Sequence, residues 1–197
     1  FIQEMLEEKG LTIADCDAVC VSKGPGSYTG LRVGVSTAKG LCFGSGKPLI
    51  AIGTLDILTA QAQEASSETV IADPSETVIA GLTGNPSHIV PMIDARRMEV
   101  YAATFKRTDA PTNHSEATPR YTQVTETAPA IIDETSYTDL LNEGPVLFIG
   151  DGAGKCADVI KHPNAHFCQC WPKASAMLTP ATRAYNEKRF EDVAYFE

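Results

Sequence analysis

Hydrophobic and polar positions follow two different periods along the chain, and this predicts strands that alternate with helices. Apolar residues at helical spacing predict helices over residues 1–8 and 29–43, on either side of a short apolar run at 17–22. The same pattern predicts strands at 48–52, 89–94, 98–105, 121–124, 146–149 and 166–171, and helices at 54–64, 137–142, from 153 to about 161, and 174–190. This order favours an α/β fold with largely parallel sheets.

The order of the elements also predicts two units. Residues 1–85 are expected to form a partial N-terminal lobe, and residues 86–197 a C-terminal lobe whose last helix packs between the lobes. Ser-Glu-Thr-Val-Ile-Ala occurs at 67–72 and again at 75–80, and a repeat this short cannot build a solenoid. We interpret 65–85 as a duplicated insertion or linker, or else the second copy as a strand. Polar residues 108–119 predict a loop.

Charge and apolar run lengths exclude several classes of protein. The net charge of −9 and the dispersed basic residues argue against strong direct binding of nucleic acid, which usually needs a basic face. No apolar run reaches the roughly 18 residues of a membrane-spanning helix. The first ten residues carry three glutamates where a signal peptide needs a basic start, so we expect a cytoplasmic protein.

Two glycine-rich turns stand between a predicted strand and a predicted helix. The first contains Gly24, Pro25, Gly26, Ser27, Tyr28 and Thr29, and the second contains Gly150, Asp151 and Gly152. Backbone amides at a helix start attract anions. The spacing in the first turn fits neither the dinucleotide fingerprint nor the phosphate loop of nucleotidases. Phosphate binding and a simple tight turn are both open.

The helix after the first turn carries small residues four positions apart. These are Gly30, Gly34 and Ala38, with Val33, Thr37 and Leu41 beside them. Small residues let a second helix approach closely. The stripe is therefore expected either to pack against the protein's own sheet or to receive a partner helix.

These segments carry a family resemblance. Residues 23–41 closely resemble the signature of the TsaB (YeaZ) family and, more distantly, that of its catalytic relative TsaD; residues 92–101 resemble the family's Asp-Ala-Arg…Glu-Val-Tyr hairpin, and 190–195 its closing segment. The resemblance implies a two-lobed actin/Hsp70/sugar-kinase-like fold. It also implies an incomplete N-terminal lobe, because the family opens with a strand and an Asp-Thr-Ser-type turn ahead of residue 1, and a tail longer than the one here.

The resemblance further implies a non-catalytic subunit. It would dimerise with a TsaD-like catalytic subunit and, with a TsaE-like ATPase in the complex, support threonylcarbamoyl transfer to adenosine 37 of tRNA. The expected interface consists of Phe1, Met5, Gly30, Val33, Gly34, Thr37, Ala38 and Leu41. No cofactor is expected in isolation, since ATP and metal would bind the partner subunits, and a homodimer is the alternative when the partner is absent.

Two departures from catalytic relatives support that expectation. TsaD holds a metal with a His-x-x-x-His pair on the helix that corresponds to residues 54–60, and this segment contains no histidine. Ala95 and Arg96 follow Asp94 where nucleotide-binding relatives have glycine. We therefore predict no metal site, and only a vestigial nucleotide loop at residues 150–152. A glycoprotease-like or ATP-dependent enzyme is the alternative, and a truncated sugar kinase is disfavoured.

Overall fold

A computed structural model describes residues 1–67, 85–108 and 120–197. The repeated segment beyond residue 67 and residues 109–119 of the expected loop lie outside this range. Backbone contacts divide the chain into a first unit of residues 1–54 and 177–197, and a second unit of residues 55–176. Among the described residues, no helix combines the length and the apolar character needed to cross a membrane.

The first unit is built on a strand–helix–strand motif. Its elements are α1 (Ile2–Glu8), β1 (Val19–Ser22), α2 (Tyr28–Ser45), β2 (Leu49–Ile52) and α6 (Leu178–Asn186). Strands β1 and β2 are parallel, and α2 connects them, ending where Gly46 adopts a left-handed conformation. Ala38, Cys42 and Leu49 form its buried core.

The last residues of the chain complete the first unit. Helix α6 packs against β2, and Glu191 bridges to Leu49. The ammonium group of Lys39 donates hydrogen bonds to the carbonyl oxygens of Ala194 (3.3 Å) and Phe196 (2.8 Å). Residues 177–197 therefore belong with the N-terminal strands, although the sequence places them in the C-terminal lobe.

The second unit is a mixed sheet with short helices. Its elements are α3 (Thr54–Ser67), β3 (His88–Asp94), β4 (Glu99–Ala102), β5 (Phe105–Thr108), β6 (Arg120–Gln123), β7 (Ala128–Ile131), α4 (Thr138–Glu143), β8 (Val146–Ile149), α5 (Ala153–Cys156) and β9 (Ala165–Cys168). Leu55, Leu58 and Ala62 of α3 pack against Ile89 and Ile93 of the sheet. This contact places α3 in the second unit, whereas the sequence assigns it to the N-terminal lobe.

Strand β3 lies at the centre of this sheet. It pairs in parallel with β8, which pairs in parallel with β9. It pairs antiparallel with β4 and β5, which pair antiparallel with β7 and β6 respectively. The expectation of largely parallel sheets therefore fails for this unit, because the hairpin after Asp94 reverses the chain direction and because β6 pairs antiparallel with β5.

Several elements differ from the sequence-based prediction. Strand β7 is absent from that prediction because Pro129 interrupts its pattern, and proline is tolerated in an edge strand of this kind. Helix α5 ends at Cys156 rather than near residue 161. The predicted final helix consists of a short 3₁₀ turn at Ala174–Met177 followed by α6, which ends at Asn186.

Candidate functional site

The glycine turn before α2 is fastened to the end of β2 by backbone hydrogen bonds. Lys23 N–H donates to the carbonyl of Ile52 (3.0 Å), and Thr54 N–H donates to that of Gly24 (2.9 Å). Gly24 has φ +92°, and a Cβ there would lie 2.9 Å from Cδ1 of Leu31. The Gly24–Pro25 peptide bond is cis. Glycine at position 24 is thus required by the turn itself, whatever the turn binds.

Ser27 forms the N-terminal cap of α2. Its hydroxyl accepts a hydrogen bond from Gly30 N–H (3.3 Å), and its carbonyl accepts one from Leu31 N–H (2.8 Å). Tyr28 is exposed, with the Arg32 guanidinium 5.0 Å above the centre of its ring. These internal bonds favour the tight-turn interpretation of the loop, and they leave an aromatic residue at the surface beside the helix start.

The predicted stripe of small residues on α2 divides between the surface and the core. Gly30 is exposed, whereas a Cβ at Gly34 would lie 3.8 Å from Val21 of β1. Ala38 is only 5% exposed and packs in the core, and Leu41 is partly buried. Gly34 and Ala38 therefore contact the protein's own sheet, as one of the two interpretations of the stripe allows.

A different face of α2 is open. Val33 is 61% exposed and Thr37 is also exposed. Gly40 and Gly44 follow at helical spacing on the same face, and a Cβ at either would meet nothing within 4 Å. Phe43, at the edge of this face, is 88% exposed. We call these five residues the open face of α2.

Helix α1 is the second exposed apolar element of the first unit. Phe1 is 87% exposed, and Ile2, Met5 and Leu11 are also exposed. None of the helix's own residues is buried. Isolated helices shorter than about 12 residues are marginal in water, so a seven-residue helix without buried side chains depends on contacts beyond itself.

The turn at Gly150–Gly152 packs tightly inside the second unit. A Cβ at Gly150, whose φ is +129°, would overlap the carbonyl oxygen of Met92. A Cβ at Gly152 would lie 2.9 Å from Val100. Gly152 N–H donates to the carbonyl of Met92 (3.1 Å), and Asp151 accepts from Asp94 N–H (3.0 Å). Contacts within the protein thus account for both glycines.

Lys155 joins this turn to the Asp-Ala-Arg hairpin. Its ammonium group donates to the Asp94 carboxylate and to the carbonyls of Arg97 (2.8 Å) and Glu99 (2.7 Å). The hydrogen bond from Lys155 is the main reason that the pKa of Asp94 is lowered. Arg96 and Arg97 both have positive φ, 71° and 49°. A lysine therefore holds a strained hairpin in place, a role with no signal in the sequence.

Metal-ligating side chains do not cluster in the part of the chain described here. Within residues 1–67, 85–108 and 120–197, no group of three His, Cys, Asp or Glu side chains is placed to hold a metal ion. Cys170 is buried in the core cluster that α3 shares with the sheet, and Cys168 packs against that cluster. These two cysteines thus contribute to packing.

A family model described as TsaD, tRNA N6-adenosine threonylcarbamoyltransferase, matches residues 1–196. The chain belongs to this family. It is 30% identical over 117 residues to the TsaB biosynthesis protein of Escherichia coli K12, and the matched region covers 59% of this chain and 43% of that protein. It is 39% identical over 106 residues to TsaB of Haemophilus influenzae, which covers 54% of this chain and 37% of that protein.

A solved structure agrees with the fold. A Pseudomonas aeruginosa protein described as similar to the peptidase YeaZ superposes with a TM-score of 0.73 at 20% identity, covering 99% of this chain and 78% of the other. The resemblance to TsaB (YeaZ) proteins is thereby confirmed, as is a mixed α/β fold. The chain spans less than half the length of the two curated relatives.

Proposed function

We propose that the protein is a non-catalytic subunit that pairs with a TsaD-like catalytic subunit and thereby supports threonylcarbamoylation of tRNA at adenosine 37. The observation that carries this proposal is the open face of α2, together with the unburied helix α1. ATP and metal would bind the partner subunits, and a TsaE-like ATPase would join through the complex. Without its partner, the chain would form a homodimer through the same face.

The geometry of the open face suits a helix from another protein. Gly40 and Gly44 let a second backbone approach closely, while Val33 and Phe43 offer apolar side chains on either side. Fully burying one such side chain contributes roughly 1.5–3 kcal/mol. Burial of α1 at the same time would cover the exposed side chains of Phe1, Ile2 and Met5.

Two further observations favour a TsaD-like partner. Two curated relatives are TsaB proteins of threonylcarbamoyladenosine biosynthesis, and the family model describes the transferase that acts on tRNA. The net charge of −9 is unfavourable for tRNA binding by this chain alone. An acidic subunit would act through a partner that carries the positive charge.

The test is sedimentation velocity of this protein with the TsaD-like protein of the same organism. Wild type should give a one-to-one species. Val33→Asp should weaken pairing at least ~100-fold, because a carboxylate would be buried against apolar side chains. Gly40→Trp should also weaken pairing, because its bulky side chain would keep a partner helix away from the open face of α2. Ile131→Asp is the matched control, since Ile131 is 78% exposed on β7 of the second unit.

The variants distinguish the interface from the partner. All should retain the wild-type circular dichroism spectrum, because each site is exposed; Gly34→Trp would not serve, since Gly34 faces Val21. Normal pairing by Val33→Asp and Gly40→Trp would rule out the open face as the interface. If wild type forms no complex with the TsaD-like protein, the proposed partner role is wrong.

The alternative is an enzyme in its own right. The family description names a transferase, and the solved neighbour is described as similar to a peptidase. An assay of tRNA threonylcarbamoylation that omits the TsaD-like subunit separates the two functions. Product formed by this protein without that subunit would establish the enzyme, whereas product that requires both proteins supports the subunit role.

A further inference from the structure

A cavity in the second unit lies where the outer strands of the sheet are interrupted. Its volume is about 620 Å³, and it is open to solvent, since most of its lining residues are exposed: Val124, Thr125, Thr135, Thr138 and Asp139. Two residues separate Ala102 from Phe105 on the β4–β5 side, but four separate Gln123 from Ala128 on the β6–β7 side. The outer strand thus carries two extra residues, which form a bulge. Bulges of this kind are common next to functional sites.

The bulge is stabilised by a side chain in place of a ladder bond. Thr125 Oγ1 accepts a hydrogen bond from Thr104 N–H (2.8 Å), while Thr104 O accepts one from Val124 N–H (2.8 Å). The backbone of Thr104 is therefore fully paired at the break. Thr104 lines the cavity together with Val124 and Thr125.

The hydroxyl of Thr104 differs from those of Thr135 and Thr138, which donate hydrogen bonds within the protein. Thr135 Oγ1 donates to Asp133, and Thr138 Oγ1 donates to the carbonyl of Thr135. Thr104 is only 4% exposed, yet its hydroxyl forms no hydrogen bond to any residue that the structure describes. It is not sealed in the core either, because no described buried side-chain oxygen lacks a partner. A nearly buried hydroxyl is thus left to bond whatever enters the cavity.

Tyr137 forms another wall of the cavity under backbone strain. Its φ is 63°, a conformation that costs a non-glycine residue of order 1–3 kcal/mol and is often retained at functional sites. Its ring packs 5.4 Å from that of Phe148. Burial, aided by the nearby Cys156 thiol, raises the pKa of Tyr137 to about 12. The phenol therefore stays neutral at physiological pH.

The remaining lining residues determine the charge of a ligand. Asp139 is the ionisable group of acidic character in the wall, and Val124 and Leu140 offer apolar surface. A carboxylate beside apolar walls pairs best with a cation on a short apolar body. We propose that this cavity binds a small amine, whose ammonium group pairs with Asp139, whose body lies against Val124 and Leu140, and whose polar atom reaches the Thr104 hydroxyl.

Saturation-transfer NMR with two matched probes tests the proposal. Isopentylamine and isovalerate share a branched alkyl body but carry opposite charges. The amine should bind and the acid should not. Asp139→Asn should weaken amine binding roughly 2–5-fold, because Asp139 is exposed and the lost ion pair is partly screened by solvent. Asp158→Asn is the matched control, since Asp158 is exposed and lies outside the cavity wall.

A second variant tests the buried hydroxyl with a ligand that can use it. Binding of 3-hydroxypropylamine should weaken roughly 3–10-fold in Thr104→Val, whereas isopentylamine should bind that variant as it binds wild type. The proposal fails if isovalerate binds as well as isopentylamine, if neither amine binds at 20 mM, or if Asp139→Asn and Asp158→Asn have the same effect. It does not depend on the proposed partner role, which involves the first unit.

Discussion

Removal of the Lys155 ammonium group tests how the hairpin after β3 is held. Lys155→Met keeps most of the aliphatic chain but leaves the Asp94 carboxylate and the carbonyls of Arg97 and Glu99 without their shared donor. Hydrogen bonds to charged groups contribute about 1.5–3 kcal/mol each when buried. The Lys155 side chain is 23% exposed and that of Asp94 is 45% exposed, so solvent screens part of this. We expect a total loss of about 2 kcal/mol.

Urea unfolding followed by circular dichroism measures this loss. With a typical slope of about 2 kcal/mol/M, the midpoint should fall by about 1 M. Lys161→Met is the control, because Lys161 is exposed and donates one hydrogen bond, to the carbonyl of Ala157 (2.7 Å). That variant should change stability by no more than about 0.5 kcal/mol. Equal midpoints for the two variants would refute the role assigned to Lys155.

The pH dependence supplies an independent check of the same contact. Because the hydrogen bond from Lys155 lowers the pKa of Asp94, the unfolded chain binds a proton at this carboxylate more readily than the folded protein does. The stabilisation is therefore complete above the unfolded pKa and is lost as pH falls through the folded pKa. The difference in stability between wild type and Lys155→Met should shrink in acid. A constant difference between pH 7 and pH 3 would contradict this.

Two further predictions concern the effect of glycine substitutions and the contribution of His88 to the pH dependence of stability. Gly150→Ala should destabilise the protein by more than about 3 kcal/mol in urea unfolding, since the new methyl group would overlap the Met92 carbonyl, whereas Gly40→Ala on the open face of α2 should be neutral or stabilising. Burial lowers the pKa of His88, although attraction to Glu143 opposes this, so the free energy of unfolding should fall as pH drops through about 6.5. In His88→Gln the free energy of unfolding should fall less between pH 7.5 and 5.5 than in wild type. An unchanged pH profile would contradict the role assigned to His88.

The sequence predicts α2 and the strands around it closely because their signals are local. A short apolar run, a glycine-rich turn and apolar residues at helical spacing after it leave few other conformations. Strand β7 could not be predicted in the same way. Its Pro129 argues against a strand, and it is the pairing of β7 with β4 over four residues that stabilises the extended conformation.

The candidate site illustrates the same limit. Four-residue spacing places Gly30, Gly34 and Ala38 on one side of α2, but spacing alone does not say which side meets the sheet. The contact between Gly34 and Val21 shows that this side of α2 meets the sheet, so the face that carries Val33 is open. Likewise, glycines at 150 and 152 suggest a nucleotide loop in the sequence, and only the approach of β3 shows that packing requires them.

The sequence by itself determined the α/β class, the family and the elements whose caps and periods are local. The tertiary structure alone decided which face of α2 is exposed, that α3 packs with the second unit and the C-terminal residues with the first, and that Lys155 holds the hairpin. It also decided that the bulge leaves the Thr104 hydroxyl beside a cavity. The physical reason is that residue type and spacing set local conformation, whereas the exposure of a side chain and its packing and hydrogen-bond partners depend on contacts between distant segments.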